Sequence, residues 1–184
     1  MIFASAGHHS KATKIKQDPG AVNKDGVKEG DLTIEFRDLV CKELTAKGVK
    51  FITDTNEENL AAYLQKIQTG NGSVVVEYHF DANDKPTPTG TTGLIEGEAD
   101  RLDRAFAKEL TDATANILGI KNRGVIDESQ SHRGRLGLMR EEGIICLMEI
   151  CFITNPDDLK AYHANKHKLA KIHADILIKY ENMI

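Results

Sequence analysis

The chain has 184 residues, with 24 Lys and Arg against 28 Asp and Glu and a formal net charge of -4. Its pI is near 6.0, so it offers no broad basic field for a nucleic acid. With 40% hydrophobic residues, 4 Pro and no Trp, the composition excludes a collagen-like or disordered chain, and the length suits a single domain, residues 1–184, that buries roughly two-thirds of its unfolded surface.

The opening MIFASAGHHS lacks a basic region followed by a long apolar one, and no apolar run approaches the ~18 residues a membrane span needs. The expectation is a chain made in the cytoplasm without a signal peptide or transmembrane segment. Residues 1–6 read as a short buried strand. KEGDLTIEFRDLVCKELTAKG then places Leu32, Phe36, Leu39, Val40 and Leu44 at helical spacing and stops at Gly48. VKFIT, residues 49–53, reads as a strand. Thr55 to Glu58 has the form of a capping box, which predicts a helix through about Gln68, and SVVVEYHF follows as a third strand.

Asp81 to Gly93, with Pro86, Pro88 and Gly90, reads as an exposed loop. From Glu96 to Leu118, apolar residues including Leu102, Phe106, Leu110 and Ile117 recur with a helical period, closed by Gly119. Residues 123–126 and 136–139 read as short strands. IICLMEICFI, residues 144–153, is the most apolar strand, and Asn155-Pro156 after it suits an N-cap with Pro at the first helical position. The tail from about Asn165 to Tyr180 is helical, with His173 on its apolar stripe as a core histidine. Strands alternating with helices predict an α/β fold, a mostly parallel central sheet sandwiched by helices. The 3 cysteines, Cys41, Cys146 and Cys151, are expected as reduced thiols in core-like surroundings.

In open α/β sheets the ligand crevice lies at the carboxyl ends of the strands. That rule gathers His8, directly after the first strand, His79 at the end of SVVVEYHF, and Glu149 in the second half of the most apolar strand. Glu29 opens the first helix. Two histidines, a carboxylate and a further carboxylate are what a catalytic zinc site requires: three ligands, an open position, and a base. Each has a plainer reading. Glu29 suits a helix dipole, and His79 suits a surface or satisfied core position. Glu149, flanked by Leu147, Met148, Ile150 and Cys151, needs a partner charge, a metal or a proton if buried.

The sequence resembles the zinc-dependent N-acetylmuramoyl-L-alanine amidases, the bacterial autolysins and phage endolysins that strip stem peptides from peptidoglycan. SAGHHS with QDPGAVN is similar to the family's G-H-G-G and D-P-G-A segment, GVKEGDLTIEFRDLVCKEL to its G-x-x-E helix, and VVVEYHFDAN to its S-I-H-x-N strand. NRGV at 122–125, Arg140, and LMEICFITNPDD at 147–158 complete the order. The resemblance covers nearly the whole chain. It implies the amidase and carboxypeptidase-like zinc-hydrolase architecture, one Zn2+ per chain on His8, Glu29 and His79, and Glu149 as the catalytic carboxylate. The implied reaction is hydrolysis of the lactyl-L-alanine amide of peptidoglycan. Zinc would polarise the carbonyl while Glu149 takes the water's proton and returns it to the leaving amine.

Departures from the family pattern mark where detail is open. His9 and Ser10 stand where the family has Gly, so His9 is expected to face the groove or solvent while His8 alone binds zinc. Glu77 stands where a small residue is common; it either orients a ligand histidine or sits at a solvated strand end, the second being preferred. Asp81 replaces Asn, and Cys151 replaces Gly. Arg123 and Arg140 suit bidentate pairing with the stem peptide's carboxylates or a surface salt bridge. Asn83 joins them as a substrate-binding candidate. His132 either lines the site or sits in a solvated loop. A monomer with no nucleic-acid partner is expected, acting on the cell wall through phage lysis or another export route. The stretch from His79 to Glu149 leaves no room for a long autoinhibitory insertion. A related zinc peptidase or deacylase, or a non-catalytic glycan-binding module, would share the architecture.

Overall fold

The computed structural model describes residues 1–67, 72–131 and 136–184. Apolar runs at positions 2–6, 74–80 and 144–152 become the three inner strands β1 (Ile2–Ala6), β3 (Val74–Asp81) and β6 (Ile144–Phe152), buried over nearly their whole lengths. Around them lie β2 (Phe51–Thr53), β4 (Thr91–Ile95) and β5 (Asn122–Asp127). The helices are α1 (Glu29–Ala46), α2 (Leu60–Leu64), α3 (Arg101–Leu118) and α4 (Pro156–Glu181). The described strands form one six-stranded sheet in the order β2-β1-β3-β6-β4-β5. All neighbours are parallel except β4 and β6, which gives the mostly parallel sheet expected of alternating strands and helices.

The two faces are covered unequally. Alternate residues of β3, Val74, Val76, Tyr78 and Phe80, point with Cys146, Met148 and Ile150 of β6 into a large core against Phe36 of α1, Phe106 of α3 and Leu169 of α4. The opposite face carries a smaller cluster, Phe3, Val75, Ile145 and Leu147, roofed by Tyr63 of α2, Ile67, and Leu138 and Met139 of a 3-10 turn (Gly137–Arg140). Glu77, His79 and Glu149 lie on this thinner side, because residues two apart on a strand share a face.

Four expectations from the sequence change. The segment read as an exposed loop through Gly93 ends in the fully buried strand β4, inserted between β6 and β5. Gly93 lets α3 approach: a Cβ there would lie 3.2 Å from Thr111 Cγ2 and 3.3 Å from Ala107 Cβ. The helix read from Glu96 starts at Arg101, capped by Asp100 and Asp103 in a reciprocal capping box. The box at Thr55 does not start α2. Glu58 accepts from Thr55 N at 2.6 Å and from Lys66 Nζ at 2.6 Å, while Asn59 caps the helix by accepting from Ala62 N, and Gln68 lies outside the described residues. Residues 137–139 belong to a 3-10 turn, with Leu136 just before it, rather than to a strand, since Leu138 and Met139 must both turn inward.

At the other end, Asn155 accepts from the N–H groups of Asp157 and Asp158, and Pro156 opens a helix of 26 residues that continues through the predicted tail. Cys146 and Cys151 are buried and Cys41 half-buried, all three as free thiols. Among the described residues, no helix is long and apolar enough to cross a membrane.

Candidate metal centre

The carboxyl end of β1 sets the geometry. Gly7 N donates to Tyr78 O at 2.8 Å, prolonging the ladder by one residue, and Thr33 Oγ1 of α1 donates to Gly7 O at 2.7 Å. His8 then turns into the left-handed region at φ 77°, a conformation costing a non-glycine residue roughly 1–2 kcal/mol. The turn directs its ring back over the sheet end. Nδ1 lies 2.9 Å from Asp18 Oδ2, so the proton resides there and Nε2 faces inward, 3.2 Å from Glu29 Oε2. That Nε2 is buried and makes no hydrogen bond.

Glu29 stands in the first turn of α1 but does not serve its own helix end. It is 2% exposed; Oε1 accepts from Phe80 N at 3.2 Å and Oε2 from Ala21 N at 2.9 Å. His79 completes the group with Nδ1 2.9 Å from Glu29 Oε1, and its ring stands edge-on to that of His8 at 5.1 Å. One ligand atom from each of His8, Glu29 and His79 lies within 4.8 Å of the others, and among the described residues this is the group placed to hold a metal ion. Two imidazoles and one carboxylate match the donor set of a catalytic zinc site.

Two glycines make the close packing possible. A Cβ on Gly7 would fall 2.1 Å from the His79 ring, and one on Gly20 would fall 2.6 Å from both Glu29 Oε2 and His8 Cδ2. Gly20 is also at φ 64°, so its loop needs glycine for both conformation and space.

Without a cation, the cluster holds protons. Burial opposes a charge on His79, but the carboxylates of Glu29 and Glu77, with the charge of Glu149, outweigh it and push the pKa up to about 10. Burial likewise works against ionised Glu29, yet the bond to His79 and the nearby His8 ring hold it well below the usual carboxylate range. His8 is raised despite burial, chiefly by Glu29.

Glu149, 4% exposed, is the register partner of His79 on β3 and of Thr92 on β4. It lines a cavity of about 410 Å3 with Thr92, Asp81, Lys121, Arg123 and Ser131. Arg123 lies over the Phe152 ring at 5.2 Å. His9 is half-buried, its Nε2 3.0 Å from Lys16 O, and borders a smaller cavity of about 140 Å3 that His8, Tyr63 and Glu77 also line. Asn83 lines a third cavity, about 280 Å3, with Asn23, Thr154 and Pro156. Arg140 is exposed on the 3-10 turn and borders none of these three. His132 lies outside the described residues.

A family model described as N-acetylmuramoyl-L-alanine amidase matches residues 2–179. The chain belongs to this family. Among solved structures it is similar to the N-acetylmuramoyl-L-alanine amidase of Clostridium difficile 630, with a TM-score of 0.80 and 18% identity over 98% of this chain and 96% of that one. The catalytic domain of CwlV, an N-acetylmuramoyl-L-alanine amidase of Bacillus (Paenibacillus) polymyxa, gives 0.79 and 18% over 100% and 98%. At these identities the two structures speak for the fold. An uncharacterized protein of Clostridium perfringens strain 13 is 31% identical over 142 residues, 72% of this chain. The amidase-family chain spans about two-fifths of that curated relative, 41% of its length.

Of two partners in the site, sequence reasoning missed one and ranked the other's role second. Asp18 belongs to the quoted QDPGAVN segment, but no spacing rule pairs it with His8; the isolated bridge between His9 and Asp18 does so. Glu77, preferred as a solvated strand-end residue, is 5% exposed and sits 3.0 Å from His79 Nε2. Spacing along the strand could not reveal that Ser5 of β1 lies beside it and bonds to its carboxylate.

Proposed function

We propose that this chain hydrolyses the amide between the lactyl group of N-acetylmuramic acid and L-alanine in peptidoglycan, for lysis or remodelling of the cell wall. One Zn2+ held by His8, Glu29 and His79 is its cofactor. The observation that carries this reading is the convergence of those three side chains within 4.8 Å, next to buried Glu149 on the neighbouring strand, in a chain of this family.

Zinc, when bound, supplies a Lewis acid for the scissile carbonyl and lowers the pKa of a water in its open position toward about 7. The chain's own groups do the rest. Glu149 takes the proton of the attacking water and returns it to the amine of the departing L-alanine. Its strand is inner and buried, which keeps that carboxylate fixed relative to His79. Arg123 and Lys121, on the wall of the same cavity, attract the carboxylates of the stem peptide, Arg123 by a bidentate fork. Arg140, exposed on its turn, and Asn83, in a separate cavity, would bear on other parts of the substrate.

Purified peptidoglycan digested with and without a chelator tests this, the new ends being identified by mass spectrometry. Intact glycan together with free L-alanine amino termini, formed only without chelator, is the expected result. Cleavage inside the stem peptide would assign the same site to a peptidase. Binding without cleavage in the zinc-loaded protein would leave only a glycan-binding module.

A further inference from the structure

The chemistry above gives Glu77 no part. We infer that Glu77 is a positioning residue that fixes the tautomer and ring orientation of His79 for metal binding, an inference that rests on the zinc reading of the site.

An imidazole binds a metal through a nitrogen that carries no proton, so the proton must be kept on the other nitrogen. The two ring nitrogens of His79 point away from each other, one 2.9 Å from Glu29 Oε1 and the other 3.0 Å from Glu77 Oε1. A carboxylate only accepts. With Nε2–H donated to Glu77, the Nδ1 lone pair is left on the side of Glu29 and His8, where the ligand atoms gather. Glu77 therefore stands behind the ring, turned away from the ligand group, and acts through His79.

A shared strand face and two contacts make this arrangement rigid. Residues 77 and 79 share one face of β3. The register pairs Glu77 with Ser5 of β1, whose hydroxyl donates to Glu77 Oε2 at 3.4 Å. The His79 ring lies against the backbone of Gly7, so close that a Cβ there would be 2.1 Å away. A buried carboxylate has a desolvation cost unless it is bonded, and this one meets that cost through the imidazole it orients. The carboxylate also raises the basicity of the ligating nitrogen, which strengthens the bond to a cation.

The test is zinc affinity, measured by competition with a chromogenic chelator on wild type, Glu77→Gln and Glu77→Ser, with thermal unfolding of the metal-free proteins to confirm folding. Wild type should bind one zinc. Glu77→Ser should bind about 10- to 100-fold more weakly, and Glu77→Gln should fall between, because its amide oxygen still accepts from Nε2–H without the charge. Visible absorption bands of the Co2+-loaded protein should shift in Glu77→Ser, a change that loss of packing alone would not produce. Folded variants that bind zinc as tightly as wild type would overturn the role of Glu77. Wild type that binds no zinc would overturn the metal reading itself.

Discussion

His173 provides a stability prediction that is independent of the metal site. It is fully buried in the large core, 5.4 Å from the Phe36 ring centroid and 5.7 Å from that of Tyr78. Thr114 Oγ1 donates to Leu110 O at 2.8 Å and lies 2.9 Å from His173 Nε2, so the histidine donates through Nε2–H. Its Nδ1 has no hydrogen-bond partner among the described residues. A second proton would place an unmatched donor and a charge in an apolar site, and burial pushes the pKa down from 6.5 to about 3. The unfolded chain takes up that proton near pH 6.5, whereas the folded chain does not until about pH 3. The neutral ring's contribution is therefore complete above pH 6.5 and is lost as pH falls through this window, by about 1.4 kcal/mol per pH unit. The loss is about 2 kcal/mol at about pH 5 and approaches 5 kcal/mol near pH 3. His173→Phe removes the titration while Thr114 keeps its bond to Leu110. Urea unfolding of the metal-free proteins at about pH 7.5 and about pH 5 should show wild type losing about 2 kcal/mol more than the variant, or roughly 4–8 °C in Tm. An equal loss in both proteins would refute the reasoning.

The site supports four further predictions. Glu149→Gln should retain one zinc by elemental analysis while turnover falls by roughly 10^2- to 10^4-fold; near-native turnover would remove Glu149 from the proton-transfer role. His8→Ala should lose zinc and His9→Ala should keep it, since of this adjacent pair only His8 aims a ring nitrogen at Glu29; the same measurement on His79→Ala should match His8→Ala. Gly7→Ala should displace the His79 ring and weaken zinc binding even in protein that remains folded, which a chelator titration checks against a circular dichroism spectrum. Arg123→Ala should raise KM for peptidoglycan fragments with kcat nearly unchanged. A kcat loss without a KM change would show instead that Arg123 contributes only in the transition state.

Legibility in the sequence followed the range of the interactions. β1, β3 and β6 announce themselves as apolar runs because strands buried on both faces admit little else. Their carboxyl ends consequently located His8, His79 and Glu149 together. β4 did not announce itself. Thr91, Thr92 and Gly93 follow a proline-rich stretch and read as its continuation; they become strand because α3 closes over Gly93 and Thr91 Oγ1 donates to Glu149 O at 2.8 Å. Glu58 likewise misled, since its carboxylate bonds to Thr55 N in the expected manner while the helix begins only after Asn59. Within the site, the residue types of the ligands were visible, whereas of the acceptors behind them Asp18 was not and Glu77 was only the less favoured of two readings. Asp18 and Glu77 are set by a loop bridge and by a neighbouring strand, neither of which has a periodicity.

The unequal cover of the sheet bears on the size of what the protein can handle. The three long helices all lie on one side, where they form the large core, so the fold's stability is concentrated away from the chemistry. Among the described residues, the side with Glu77, His79 and Glu149 is roofed by a five-residue helix, Ile67 and one 3-10 turn. A roof that light leaves space beside the chemistry for the polymeric reactant of the proposed function. The same division means that loop variation on the thin side can change what reaches the site without disturbing the packing of the large core.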